Sequence, residues 1–89
     1  MTKTILCFGD SITWGYDPSD GTRYPPEDRW PRALEAALQG RARVIEEGLN
    51  ARTVATDDPA RPYRNGMIML PPLLESHAPL DIVAVMLGT

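Results

Sequence analysis

The stretch Phe8-Gly9-Asp10-Ser11-Ile12-Thr13-Trp14-Gly15 holds the residues best suited to chemistry in this chain of 89 residues. A small flexible residue and an acid follow an apolar run, and a serine then opens what reads as a short helical turn. Such an arrangement displays the Ser11 hydroxyl at the carboxyl edge of a sheet. It also aims local backbone N–H groups and the positive end of a helix dipole at whatever binds there. This suits a nucleophile attacking a carbonyl, because the developing oxyanion meets donors already in place. The same residues fit a plainer role, in which Asp10-Ser11 only caps a helix. On the residues alone the two readings carry equal weight. Asp10 is expected to fix the loop by accepting backbone N–H bonds rather than to act as an acid. Trp14 either lines a pocket beside Ser11 or packs under the loop, and Tyr16 is similar, with partial exposure the favoured reading.

Three segments read as buried strands that would position these residues: Thr4 to Phe8, Arg43 to Glu47 and Asp81 to Leu87, each halted by a glycine. The first and third are continuous apolar runs, the mark of strands covered on both faces in a parallel sheet. A helix is expected from about Trp30 to Gln39, with Trp30, Leu34, Ala37 and Leu38 on one face, Pro31 in its first turn and Gly40 as its stop. A second apolar stretch, Met67 to Leu74, carries Pro71-Pro72 in its middle, which predicts a kink there or a helix that starts at Pro71. The order strand, helix, strand, helix, strand makes a doubly wound parallel α/β unit. Its loops, Tyr16 to Asp28 and Arg52 to Asn65, follow the carboxyl ends of strands, where such sheets place ligands. Arg52, Arg61 and Arg64, with Asp57 and Asp58, read as a solvated loop. Cys7 reads as core. The chain stops two residues after a central-type strand, so residues 1–89 are expected to be the N-terminal part of a larger domain.

Composition narrows the function. Lys+Arg is 9 and Asp+Glu is 12, a net charge of -3, which argues against a protein that tracks nucleic-acid phosphates. No apolar run approaches the ~20 residues of a membrane span, and Ile5 to Phe8 is too short for a signal peptide. One cysteine cannot form an internal disulfide, and with one histidine a metal site would need ligands from elsewhere. There is no Walker A sequence and no GxGxxG. The expectation is a cytoplasmic chain without metal or organic cofactor.

Taken as a set, the motifs resemble the SGNH (GDSL-type) hydrolases, and within them the bacterial arylesterase/acyltransferase subgroup. Gly9-Asp10-Ser11 matches the first block, whose serine is the nucleophile, with Ile12 where Leu is usual; Thr13-Trp14-Gly15 matches the subgroup's continuation. Glu46-Glu47-Gly48-Leu49-Asn50-Ala51-Arg52-Thr53 resembles the second block, in which a glycine gives its main-chain N–H to the oxyanion. Aligned on Arg52-Thr53, that place falls to Ala51, with Gly48 as second choice. Arg29-Trp30 matches a subgroup feature, Trp30 being expected in the core and Arg29 as a loop anchor. Pro79-Leu80-Asp81 and Met86-Leu87-Gly88-Thr89 resemble the approach to the third block, so the likeness runs from residue 3 to residue 89. The family's oxyanion Asn would follow Thr89, and its catalytic Asp and His lie near the far end of the full domain. None has a counterpart here. His77 precedes the third strand, whereas Ser11 follows the first. A six-residue strand spans about 20 Å, far beyond the ~3 Å reach of a general base. His77 therefore reads as a helix-end residue.

The resemblance implies a flavodoxin-like three-layer α/β/α parallel sheet, of which residues 1–89 are the βαβαβ portion with strand order 2-1-3. It implies a serine esterase acting on short-chain or aryl esters through an acyl-enzyme on Ser11. The Ser11 and Ala51 N–H groups would hold the oxyanion, and the acyl group could pass to an alcohol or peroxide where water is excluded. Its partner would be a small-molecule ester, with no nucleic acid and no membrane. In the subgroup, loops such as Arg52 to Asn65 build subunit contacts and narrow the site entrance, which implies a homo-oligomer at full length. Two alternatives stand beside it. One is a nucleotide- or phosphate-binding α/β module with the same strand–loop–helix geometry. The other is an inert fragment, since the 89 residues lack the Asp–His pair.

Overall fold

Continuous apolar runs need cover on both faces, and parallel strands between helices supply it. The computed structural model describes residues 2–88 and places the runs in one three-stranded parallel sheet. Strand β1 (Lys3–Gly9) lies between β2 (Ala42–Gly48) and β3 (Ile82–Met86), giving the expected order β2-β1-β3. Thr89 and the link it would make to a third block lie outside the described residues. From β1 to β2 the chain passes through α1 (Ser11–Trp14), a 3-10 turn at Pro26–Asp28 and α2 (Trp30–Ala37), and α3 (Gly66–His77) leads from β2 to β3.

Side chains alternate across β1. Ile5 and Cys7 face α2 and join Ala42 and Val44 in a core closed by Trp30, Leu34, Leu38 and Ala84. Leu6 and Phe8 point to the opposite face, and both are fully buried. Each such side chain contributes roughly 1.5–3 kcal/mol through burial. Ala37, expected on the apolar face of α2, is exposed. The helix also closes the free edge of β2. Glu35 Oε2 accepts the Val44 N–H at 2.7 Å, and Arg32 donates to the Val44 carbonyl. Unpaired edge groups are thereby removed from competition with other strands. Past Ala37 the chain turns through Gln39 and Gly40, both with positive φ, so Gly40 lies in the terminating turn.

One expectation is corrected. The second apolar stretch is one helix that starts at Gly66, not at Pro71, and holds both prolines inside it. Asn65 sets that start by accepting the Met67 N–H on its side chain at 3.1 Å. The prolines leave the Met67 and Ile68 carbonyls without helical partners, and both residues are exposed, so water can serve them. Within residues 2–88, β3 pairs with β1, Ala84 packs against the core, and Ile82 and Val85 are 52% and 56% exposed.

Candidate active site

The short helix that carries Ser11 sits where two strands end. Gly9 and Gly48 pair in register there. A Cβ on Gly9 would lie 2.0 Å from Thr13 Oγ1, and one on Gly48 would lie 2.2 Å from the Trp14 backbone nitrogen. Only residues without a side chain let α1 settle this closely onto the strand ends. Thr13 is the inward residue of α1, fully buried, and its Oγ1 accepts the Trp30 indole N–H at 3.1 Å. Asp10 is the N-cap, its carboxylate accepting the Ile12 N–H at 3.1 Å. Gly15 closes the helix with a left-handed backbone, φ 97°. A helix of four residues has little macrodipole, so polarity at Ser11 comes from individual N–H groups.

Ser11 is half-buried and borders two cavities. The larger, about 470 Å³, is lined by Ser11, Tyr16, Asn50, Ala51, Arg61 and Arg64. The other, about 350 Å³, is lined by Ser11, Ile12, Tyr16, Pro18 and Tyr24. Ser11 and Ala51, far apart in sequence, thus line one cavity. Their backbone N–H groups donate to no group among the described residues. Ala51 holds φ at 65°, a conformation that favours glycine. Gly48 borders neither cavity, and its place is beneath α1. Trp14 packs away from both cavities, with the Arg23 guanidinium carbon 4.7 Å from its ring centroid.

One residue of this region is misplaced by its sequence context. Arg52 reads as part of a solvated loop but is buried, with 7% exposure. Its Nη1 donates to the carbonyls of Glu47 at 2.6 Å and Gly9 at 3.2 Å, tying together the ends of β1 and β2. Burial pulls its pKa below the ordinary arginine value, against the Glu47 carboxylate that raises it. Arg29 anchors a loop, as expected, by donating from Nε to the Tyr24 carbonyl at 2.9 Å. His77 is the last residue of α3, and its Nε2 lies 2.9 Å from Glu47 Oε2, so its ring serves the sheet rather than Ser11. Tyr16 is exposed and also borders both cavities. Asn50, Arg61 and Arg64 line the larger cavity with Ser11, and no residue-level signal in the sequence singles them out.

A serine at a strand end and a second N–H donor lining the same cavity make an arrangement able to receive a carbonyl group. The GDSL-like lipase/acylhydrolase family matches residues 7–89 of this sequence. The chain belongs to that family. Among solved structures, this GDSL-like chain is similar to a candidate arylesterase of Agrobacterium tumefaciens str. C58. They share 55% identity over 98% of this chain and 42% of that one, with a TM-score of 0.93. It is also similar to a carbohydrate acetylesterase family member of Sinorhizobium meliloti, at 53% identity over 98% and 41%, TM-score 0.94. The M. smegmatis aryl esterase follows at 50% identity over 98% and 42%, TM-score 0.92. The chain thus spans well under half the length of these GDSL-like relatives. No curated protein matches it. Among the described residues, no helix is long and apolar enough to cross a membrane.

Proposed function

We propose that the protein of full family length is a serine ester hydrolase that works through Ser11. The Ser11 oxygen attacks the ester carbonyl and its proton passes to a base. The carbonyl oxygen takes up the negative charge, and the alcohol leaves with a proton. The resulting acyl-enzyme is cleaved by water, or by an alcohol or peroxide where water is excluded. The Ser11 and Ala51 N–H groups receive the oxyanion, a role worth roughly 2.7–4 kcal/mol of barrier for each donor. The base and its orienting acid are the Asp–His pair that the family resemblance implies, located in the part of the relatives that this chain does not span. The similar structures described as arylesterases and acetylesterases support short-chain and aryl esters as substrates.

The observation that carries this reading is the one cavity lined by both Ser11 and Ala51, each with an unengaged N–H among the described residues, at the carboxyl edge of the sheet. The test is hydrolysis of p-nitrophenyl acetate by the full-length protein. Turnover is expected, with a loss of at least a thousandfold in Ser11→Ala. Turnover that survives the substitution contradicts the proposal.

A further inference from the structure

The two cavities that meet at Ser11 differ in kind. The smaller has Ile12, Pro18 and the rings of Tyr16 and Tyr24 in its walls. The larger has Arg61 and Arg64, and no carboxylate lines it. The other arginines near the site are accounted for. Arg29 and Arg32 pair with Glu46, Arg32 also with Glu35, Arg52 is spent on two carbonyls, and Arg23 lies on Trp14 while donating to its carbonyl.

Among the described residues, by contrast, neither Arg61 nor Arg64 forms an ion pair. Arg64 donates to two neutral groups, the carbonyls of Asn50 at 3.0 Å and Pro62 at 2.9 Å, which fix the guanidinium without cancelling its charge. Arg61 is exposed, and its side chain bonds to nothing among the described residues. The acids of the same loop are turned elsewhere. Asp57 accepts from the Asn65 amide and Asp58 from the Ala60 N–H, and neither lines the cavity. Two cations thus face the space in front of Ser11 in a protein whose net charge is -3.

Resting on the esterase reading, we infer that Arg61 and Arg64 form an anion subsite that selects esters bearing a carboxylate on one side of the scissile bond. The aromatic cavity takes the other, uncharged side. An ester has two substituents, and Ser11 stands between two cavities of matching unlike character. Arg64, held by two carbonyls, presents its guanidinium in a fixed attitude suited to a planar carboxylate. Arg61, exposed to solvent, adds a screened attraction that weakens with salt. The contact exists equally in the bound ester and in the transition state, so it acts on KM more than on kcat.

The test uses the full-length protein and two matched pairs of esters. 4-Acetoxybenzoate and its methyl ester place the charge on the alcohol side. Mono-4-nitrophenyl succinate and its methyl ester place it on the acyl side. The quantity read is the kcat/KM ratio of charged to neutral ester. In one pair the ratio should fall roughly three- to tenfold from wild type to Arg61→Gln/Arg64→Gln, chiefly through KM. It should also shrink as salt is raised to 1 M. Arg64→Gln removes two hydrogen bonds and can loosen the loop, so Arg61→Glu is measured alone; its ratio should drop further than that of Arg61→Gln. Ratios that stay within twofold of wild type in both pairs and in Arg61→Glu overturn the subsite, while Ser11-dependent turnover of the neutral esters leaves the esterase reading standing. Absence of any Ser11-dependent turnover strikes the esterase reading and the subsite together.

Discussion

Arg52 lies over the ring of Phe8, its guanidinium carbon 4.1 Å from the centroid, and from there reaches the carbonyl oxygens of Gly9 and Glu47. A charged side chain is thus used as a bracket between the last turns of two strands, at the edge that presents Ser11. Its aliphatic stem and flat head suit the position, since the head both stacks and donates.

Arg52→Met keeps the stem and removes the bracket. Two carbonyls at the strand ends lose a charged donor, and the stacking on Phe8 is lost. The expected cost is about 2–4 kcal/mol. Urea denaturation of the full-length protein measures it. Arg43→Met, at an exposed position of β2, is the matched comparison and should change stability by less than about 0.5 kcal/mol.

Gly48→Ala tests whether α1 must touch the strand ends. The added methyl would meet the backbone of Trp14 at 2.2 Å, and backbone cannot step aside as a flexible side chain can. Overpacking of this kind costs about 1–3 kcal/mol. Because the displaced element carries Ser11, a shift near 1 Å should also lower kcat on the order of a hundredfold. A stable, fully active Gly48→Ala protein would contradict this placement of α1.

Ala51→Gly probes the opposite situation. Ala51 holds φ at 65°, which strains any residue with a Cβ. Glycine relieves that strain but costs chain entropy in the unfolded state. The balance predicts a stability change between zero and a gain of about 1 kcal/mol, with esterase turnover retained because the donor is main chain. Ala51→Val should lose about 1–3 kcal/mol at the same place. Thermal melts of the three proteins give the order.

Cys7 predicts a pH effect. Burial raises its thiol pKa in the folded state, with Glu46 acting in the same direction and Arg32 against it. The unfolded chain ionises near the ordinary thiol value of about 8.5, whereas the folded chain resists. Stability linked to this group is therefore complete below that pH and declines above it, with a slope approaching about 1.4 kcal/mol per pH unit. Unfolding free energies from pH 7 to 10 should show the decline, and Cys7→Ala should remove that part of it. The native thiol should also ignore a thiol reagent that titrates it once the protein is unfolded.

The fold was legible because its signals are periodic and local. Ile5 to Phe8 and Ile82 to Met86 announce parallel strands by their unbroken apolar character, and Trp30, Leu34 and Leu38 announce a helix by spacing. What failed to show depends on contacts distant in sequence. Nothing around Arg52 distinguishes a buried arginine from the exposed Arg61 or the half-buried Arg64, because its partners are carbonyls at residues 9 and 47. Pro71-Pro72 suggested a helix start, and the cap at Asn65 outweighed it. At the site, Ser11 could be singled out from its neighbours and Tyr16 weighed as a pocket residue, while Asn50 and Arg64 came into view only when the loops met over the strand ends.

Trapping the covalent intermediate tests the account most directly. Full-length protein is treated with a fluorophosphonate, digested, and its peptides are mapped by mass spectrometry. One adduct is predicted, on Ser11, with esterase activity lost in proportion to its formation and no labelling in Ser11→Ala. An adduct on any other residue, or full inactivation with Ser11 unmodified, would contradict the claim that this serine carries the acyl group.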